Sequence, residues 1–303
     1  MLQRLPFRAM GCQMLALLEL DSGKEPVALK QVPDWFEDWE QVLSRFRYDS
    51  ELSRLNRTED QPVPVSQTLW DVFQASVIAD QATGGLITPT VLDAMMNAGY
   101  DRPFDELPTS RPYFDLLTEI QPLSLVVTDE ETRSICLPSG IGLDFGGIAK
   151  GWAAHQTVKR LQSVGPALMN AGGDIALSGP RLGGKPWLIG ISNPFEPSDD
   201  LAVMNLTSGG VATSGKDRRR WRQGAFLNHH IIDPRTGNPA ITDILTTTVI
   251  APTVMEAETA AKTIFLLGSG FGLEWLESEP DFAALVVLDN GEILISSRME
   301  GYL

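Results

Sequence analysis

Apolar positions first fall into register at residues 12–20, a short run that predicts a strand. Pro33 and Asp34 then open a helix. In it Trp35, Phe36, Trp39, Val42, Leu43 and Phe46 recur at three- and four-residue spacing, one apolar stripe. A polar loop reaches Asn56. A second helix runs from an N-cap at Ser66 to a stop at Gly84 and Gly85. A third starts at Thr88-Pro89, with proline in the favoured first position, and ends at Gly99.

From about residue 121 the texture changes to strands. Segments 123–127, 133–137 and 140–145 read as a small meander, and a helix follows over 148–163. Further strands are predicted near 166–170, 174–178, 186–192 and 200–206, and strand 244–251 leads into a helix at 255–267. Asp289-Asn290-Gly291 between two apolar runs signals a hairpin. Strands and helices mix without regular alternation, so the class is α+β rather than a doubly wound sheet. The expected organisation is a single domain over 1–303, with a mostly helical insertion at about 30–120 as its one subdomain.

Composition narrows the function classes. The chain has 303 residues, 39 acidic against 24 basic, for a net charge of -15. Nucleic-acid phosphates and anionic membranes both select clustered positive charge, so neither is an expected partner. One basic cluster stands out against this background: Lys216, Arg218, Arg219, Arg220 and Arg222. It is either a solvated loop or a site for an anionic ligand. The two cysteines, Cys12 and Cys136, are too few for a disulfide framework and suit a reducing compartment. Ala9-Met10-Gly11-Cys12 superficially resembles a lipoprotein cleavage site. The preceding residues hold two arginines and no apolar core, so a secretion signal is not expected and the cytoplasm is.

Four segments carry candidate chemistry. Asp144-Phe145-Gly146-Gly147-Ile148-Ala149-Lys150-Gly151 sits at the entrance of a helix, whose free N–H groups and positive dipole end suit a phosphate. Glycines at such a junction also serve the bend alone. Asn170-Ala171-Gly172-Gly173-Asp174-Ile175 permits close backbone approach or a bulge. Val211-Ala212-Thr213-Ser214-Gly215 offers small hydroxyls beside the basic cluster. In His229-His230-Ile231-Ile232-Asp233-Pro234-Arg235-Thr236-Gly237 two of the three histidines meet Asp and Arg. That group could bind metal, serve acid–base work, or be a turn capped by Asp233.

Taken in order, these segments resemble the FAD:protein FMN transferase (ApbE) family from Phe7 to about Gly268. The resemblance also includes Met10-Gly11, Ser50-Glu51-Leu52-Ser53-Arg54-Leu55-Asn56, Gly84-Gly85-Leu86-Ile87-Thr88-Pro89-Thr90-Val91 and Phe265-Leu266-Leu267-Gly268. It implies an enzyme that binds FAD and transfers its FMN half to a Thr or Ser hydroxyl of an acceptor flavoprotein, releasing AMP. By this resemblance the cofactor meets Met10, Ser50, Asn56, Leu86, Ile87, Thr88, Thr90, Asp144, Lys150, Gly172, Gly173, Asp174, Thr213, Ser214, Gly215 and His230. His230 would act on the proton, and Asp233 would fix its loop or the imidazole. An FAD pyrophosphatase and a non-catalytic flavin-binding protein are the other readings.

The chain departs from the family pattern at the cation site. The family holds Mg²⁺ with a carbonyl at the glycine turn, here Gly147, and an Asp and a Thr four residues apart on the late helix. Those two positions are Glu258 and Lys262. Glu can still ligate Mg²⁺, but a protonated lysine has no acceptor. Either the Lys262 ammonium takes the cation's place, or Glu258 and Lys262 form a plain helical pair and metal binding is lost or shifted. FAD binding is expected to depend on Mg²⁺ less than is usual in the family. A smaller departure is Thr88, where many members carry Asp; it is expected to cap the helix opened by Pro89.

Overall fold

The computed structural model describes residues 1–21, 27–108, 110–111 and 118–303. Residues 109 and 112–117 of the proposed 30–120 insertion lie outside that set. Strands β1 (Leu2–Ala9) and β2 (Cys12–Glu19) come first, then helices α1 (Val27–Lys30), α2 (Val32–Leu43) and α3 (Glu51–Leu55). Next are β3 (Pro62–Pro64), α4 (Gln67–Ala82), α5 (Leu92–Asn97), β4 (Ser110–Arg111), β5 (Val127–Asp129) and β6 (Ser134–Cys136). After α6 (Ala149–Leu161) follow β7 (Ala167–Ala171), β8 (Asp174–Leu177), β9 (Trp187–Ser192), β10 (Asp200–Leu206) and β11 (Gly210–Gly215). Two hairpins, β12 (Arg220–Gln223) with β13 (Phe226–His229) and β14 (Ile232–Asp233) with β15 (Asn238–Pro239), precede β16 (Ile244–Ala251). Helix α7 (Val254–Glu277) and the hairpin β17 (Ala283–Leu288) with β18 (Ile293–Ile295) complete the chain.

The chain divides into two compact units: Met1–Phe36, Lys150–Asp217 and Thr242–Leu303 form one, Glu37–Ala149 and Arg218–Ile241 the other. The first is built on an eight-stranded sheet ordered β1-β2-β7-β8-β11-β16-β17-β18, with every pairing antiparallel. Its interior strand β16 is buried at every position, in keeping with its unbroken apolar and threonine run. On one face Leu168, Ile175, Val211, Ile250, Leu285 and Val287 join Trp187, Ile189 and Met204 of the β9–β10 ribbon in one core. On the other face α7 lies close, because the contact is made by Ala212, Ala251 and Ala257. Thr253 is the N-cap of α7: its hydroxyl accepts from Glu256 N–H (3.2 Å) and donates to the Glu256 carboxylate (2.8 Å).

The second unit holds α3 to α5, the small sheets β3-β6-β5 and β13-β12-β4, and the β14–β15 hairpin. A separate core of Ala94, Met95, Ala98, Tyr100, Trp221 and Ile232 fills it.

Several local expectations are corrected. Residues 2–9 form edge strand β1, its apolar signal diluted by Arg4, Pro6 and Arg8; proline is tolerated at an edge. Helix α2 stops at Leu43, leaving Phe46 outside it. Helix α5 begins at Leu92 rather than at Thr88-Pro89, with no side-chain cap. The Thr90 hydroxyl is spent on Gln121 O (2.7 Å), and Pro89 O accepts from Asp144 N (2.8 Å). Both bonds bend the segment away from helix. Segment 140–145 is no strand, and 123–125 is a single 3₁₀ turn ahead of β5. The basic cluster, read as a loop or ligand site, contributes β12. The helix expected over 255–267 continues to Glu277 across a break at Gly268, whose φ of 79° favours glycine.

Phe265 of α7 is fully buried. Phe265→Ala is expected to lower stability by about 3–5 kcal/mol through lost contacts and a cavity, read from the midpoint of urea unfolding.

Candidate functional site

In the first unit the glycine motifs gather at one end of the sheet. Met10 and Gly11, both at positive φ (48° and 66°), make the two-residue turn between β1 and β2. Such a turn demands this backbone at both positions, and a methionine accepts it at some cost. Gly172 and Gly173 (φ 72° and 108°) make the same kind of turn between β7 and β8, pinned by a bond from Gly173 N to Asn170 Oδ1 (2.8 Å). A Cβ at Gly172 would meet Cys12 Cβ at 2.8 Å, so the two turns touch. β11 pairs with β8 through Val211 and Ile175 and carries Thr213, Ser214 and Gly215 past that same end. Thr213 Oγ1 and Thr248 Oγ1 share a hydrogen bond of 2.9 Å, and Ser214 is buried.

Four charges meet beside these turns. Asp174 leaves the second turn and binds the Lys150 ammonium. Lys150 Nζ is also 3.6 Å from Glu258 Oε1, and the same oxygen accepts from Lys262 Nζ at 2.9 Å. Glu258 Oε2 accepts from Gly151 N at 3.2 Å. A Cβ at position 151 would stand 2.5 Å from that oxygen, so glycine admits the carboxylate. The side chains of Asp174 and Glu258 are 5% and 1% exposed, those of Lys150 and Lys262 17% and 18%. The Glu258–Lys262 pair is therefore buried rather than a surface helical pair.

Burial, then the charge of Asp174, pushes the Glu258 carboxyl above the usual carboxylate range; Lys262 and Lys150 only partly offset this. Burial also disfavours the Lys150 ammonium, but Asp174 and next Glu258 outweigh it, and Lys150 titrates above an ordinary lysine.

The second unit holds the other candidates. Ser50 is fully buried: its hydroxyl accepts from Ser53 N (2.9 Å) and donates to Ser44 O (2.6 Å), so it shapes its loop. Asn56 bonds both ways to Leu143, through Nδ2 to O at 2.8 Å and from N to Oδ1 at 2.9 Å. Ile87 N is held by the Thr83 hydroxyl (3.0 Å), with Leu86 half-buried just before it. Thr88 and Thr90 share a hydroxyl bond of 3.0 Å. Burial lifts the Asp80 carboxyl above its ordinary value, against a hydrogen bond from Thr88. Thr88 thus binds Asp80 and Thr90 instead of capping a helix.

Asp144 takes Arg45 Nε at 2.5 Å and Gly146 N at 2.7 Å, bracing the turn that contains Gly147. Arg45 also donates to Tyr100 O (2.7 Å) and lies over the rings of Phe46 and Tyr100. No single-sequence pattern marks Arg45, because its partners are distant in the chain. Asp233 accepts from the Arg235 guanidinium at 2.9 and 2.8 Å and from Arg235 N at 2.9 Å, which organises the turn after the histidines. His229 is buried, its Nε2 against Ala240 O (2.9 Å) and its Nδ1 accepting from Ile231 N (3.3 Å). With both ring nitrogens of His229 committed to the backbone, the half-buried His230 is the histidine better placed for chemistry.

The match to known proteins agrees with this architecture. The ApbE family model matches residues 10–286, and the chain belongs to that family. It is 31% identical over 291 residues to an FAD:protein FMN transferase of Klebsiella pneumoniae, covering 93% of this chain and 88% of the relative. One from Haemophilus influenzae is 29% identical, with 84% and 77% covered. Among solved structures, the ApbE protein of Thermotoga maritima superposes with a TM-score of 0.88 at 24% identity, over 100% of this chain and 99% of that one. A histidine-to-glycine mutant of the flavin transferase ApbE from Vibrio cholerae gives 0.83 at 25% identity, over the whole of both chains.

Arg45→Ala would leave Asp144 buried without its counter-charge, with an expected loss of about 3–5 kcal/mol in thermal or urea unfolding. For Lys150 the folded pKa lies above the unfolded one, so its ion pairs stabilise below the unfolded value of about 10.4. The stability gap between wild type and Lys150→Met is expected to be full at neutral pH. It should shrink as pH rises through the folded value, followed by urea midpoints from pH 7 upward.

Proposed function

We propose that this chain is an FAD:protein FMN transferase of the cytoplasm, acting as one catalytic domain. The observation that carries the reading is the charged cluster Lys150–Asp174–Glu258–Lys262 beside two glycine turns, within a chain of the ApbE family. The acceptor's Thr or Ser oxygen attacks the FMN phosphorus, the bond to the AMP phosphate breaks, and AMP leaves with the electron pair. His230 takes the hydroxyl proton or orients the hydroxyl, with Asp233 holding its loop. Lys150 and the turn at Gly147 face the diphosphate, so positioning and charge neutralisation supply most of the rate. Cys12 and Cys136 form no disulfide, which suits a reducing compartment.

The residues do not fit a divalent cation well. Both oxygens of Glu258 already accept from N–H donors, and Lys262 supplies a charge but no lone pair. Among the described residues no group of three His, Cys, Asp or Glu side chains could hold a metal. The half-buried Lys262 ammonium, held on the buried Glu258 carboxylate, favours the reading in which a fixed positive charge stands where the family resemblance implies Mg²⁺. No step is routed through a metal.

FAD titrated in EDTA should bind about as well as in Mg²⁺, and a strict Mg²⁺ requirement would refute the lysine substitution. Mass spectrometry after incubation with FAD and an acceptor domain separates the activities. Covalent FMN supports transfer, free FMN with AMP supports hydrolysis, and unchanged FAD supports storage. Lys150→Ala should weaken FAD affinity about ten-fold, and His230→Ala should slow turnover about 100-fold with FAD still bound.

A further inference from the structure

The basic cluster has no part in the chemistry above. In a chain of net charge -15 it gathers Lys216, Arg218, Arg219, Arg220 and Arg222 within seven residues. Lys216 is tied to Asp289 (2.7 Å) and Thr242 O (2.6 Å). Arg220 and Arg222 are different. They alternate with buried Trp221 and Gln223 along β12, so both point to the exposed face. Among the described residues no carboxylate pairs with either.

β12 and β13 form a hairpin with register Gln223↔Phe226, Arg222↔Leu227, Trp221↔Asn228 and Arg220↔His229. Gly224, at φ 58°, takes the first position of its two-residue turn. The pair flanking such a turn is hydrogen-bonded, and bonded pairs alternate. The backbone N–H and C=O of Leu227 therefore point away from β12. Its side chain is 54% exposed and lies beside Arg222. The sheet order is β13-β12-β4, so β13 is an edge strand among the described residues. An exposed edge of this kind recruits an extended chain. β13 ends at His229, and His230 is the next residue.

We propose that the outer edge of β13, with the Arg220–Arg222 strip beside it, docks an extended acidic segment of the acceptor protein next to its flavin-accepting Thr or Ser. This rests on the transferase reading. The rest of this acidic chain repels such a segment, so the arginines select both the partner and its register. Backbone pairing along β13 carries the segment toward His230.

The probes are two fluorescein-labelled peptides of about twelve residues, each with one central Thr; one carries alternating Asp on one flank, the other Asn at the same places. Anisotropy with the FAD-loaded full chain is expected to show about ten-fold tighter binding of the Asp peptide, a gap that narrows at high salt. The double variant R220E/R222E should abolish the gap while flavin fluorescence reports unchanged FAD affinity. L227P removes the outward N–H without touching the β12 ladder, and should weaken both peptides while circular dichroism confirms the fold. Equal binding of the two peptides, or a gap that survives R220E/R222E, overturns the proposal. So does loss of FAD by R220E/R222E, which would assign the strip to the dinucleotide. Docking is read without turnover, so a peptide that binds tightly but gains no FMN by mass spectrometry counts against the transferase reading and leaves the surface standing.

Discussion

Two ammonium groups and two carboxylates held almost out of water have to balance one another, and that constraint organises the sheet end in the first unit. Lys150 comes from the start of α6, Asp174 from the turn into β8, and Glu258 and Lys262 from successive turns of α7. Each alone would be costly to bury, and together they sum to zero charge. Removing one strands its partner, so the glycine turn, the helix entrance and α7 must arrive at one place together.

The same constraint explains the small residues around it. Gly151 leaves room for a carboxylate oxygen, and alanines between α7 and the sheet bring the helix close enough to lower Glu258 toward Asp174. In the second unit the buried Arg45–Asp144 pair has the parallel task, bracing the turn at Gly147 while Tyr100 and Phe46 cover the guanidinium. In each unit the pairing fixes charge at a defined place, because a buried ion pair cannot relax without stranding its partner.

The side chains first read as ligand contacts divide into two kinds. Ser50, Asn56, Thr90 and Asp233 spend their polar atoms on backbone or on a neighbouring side chain and shape the loops that carry the motifs. Lys150, Lys262 and the paired glycines supply charge and closely approachable backbone. Motif spacing reveals both kinds alike, because a residue that builds a loop is as tightly specified as one that faces the ligand.

The sequence by itself determined the α+β class, the β9, β10 and β16 positions, the N-cap of α4 at Ser66 and the family, because these rest on local pattern and motif order. It also exposed Glu258 and Lys262 as the departure from the family's cation site. Only the tertiary structure decided that this pair is buried and joined to Lys150 and Asp174, that Thr88 binds Asp80 rather than a helix end, and that Arg45 braces Asp144. Each of those depends on partners far apart in the chain, and burial, which sets the worth of a charge, exists only after the chain has folded around it.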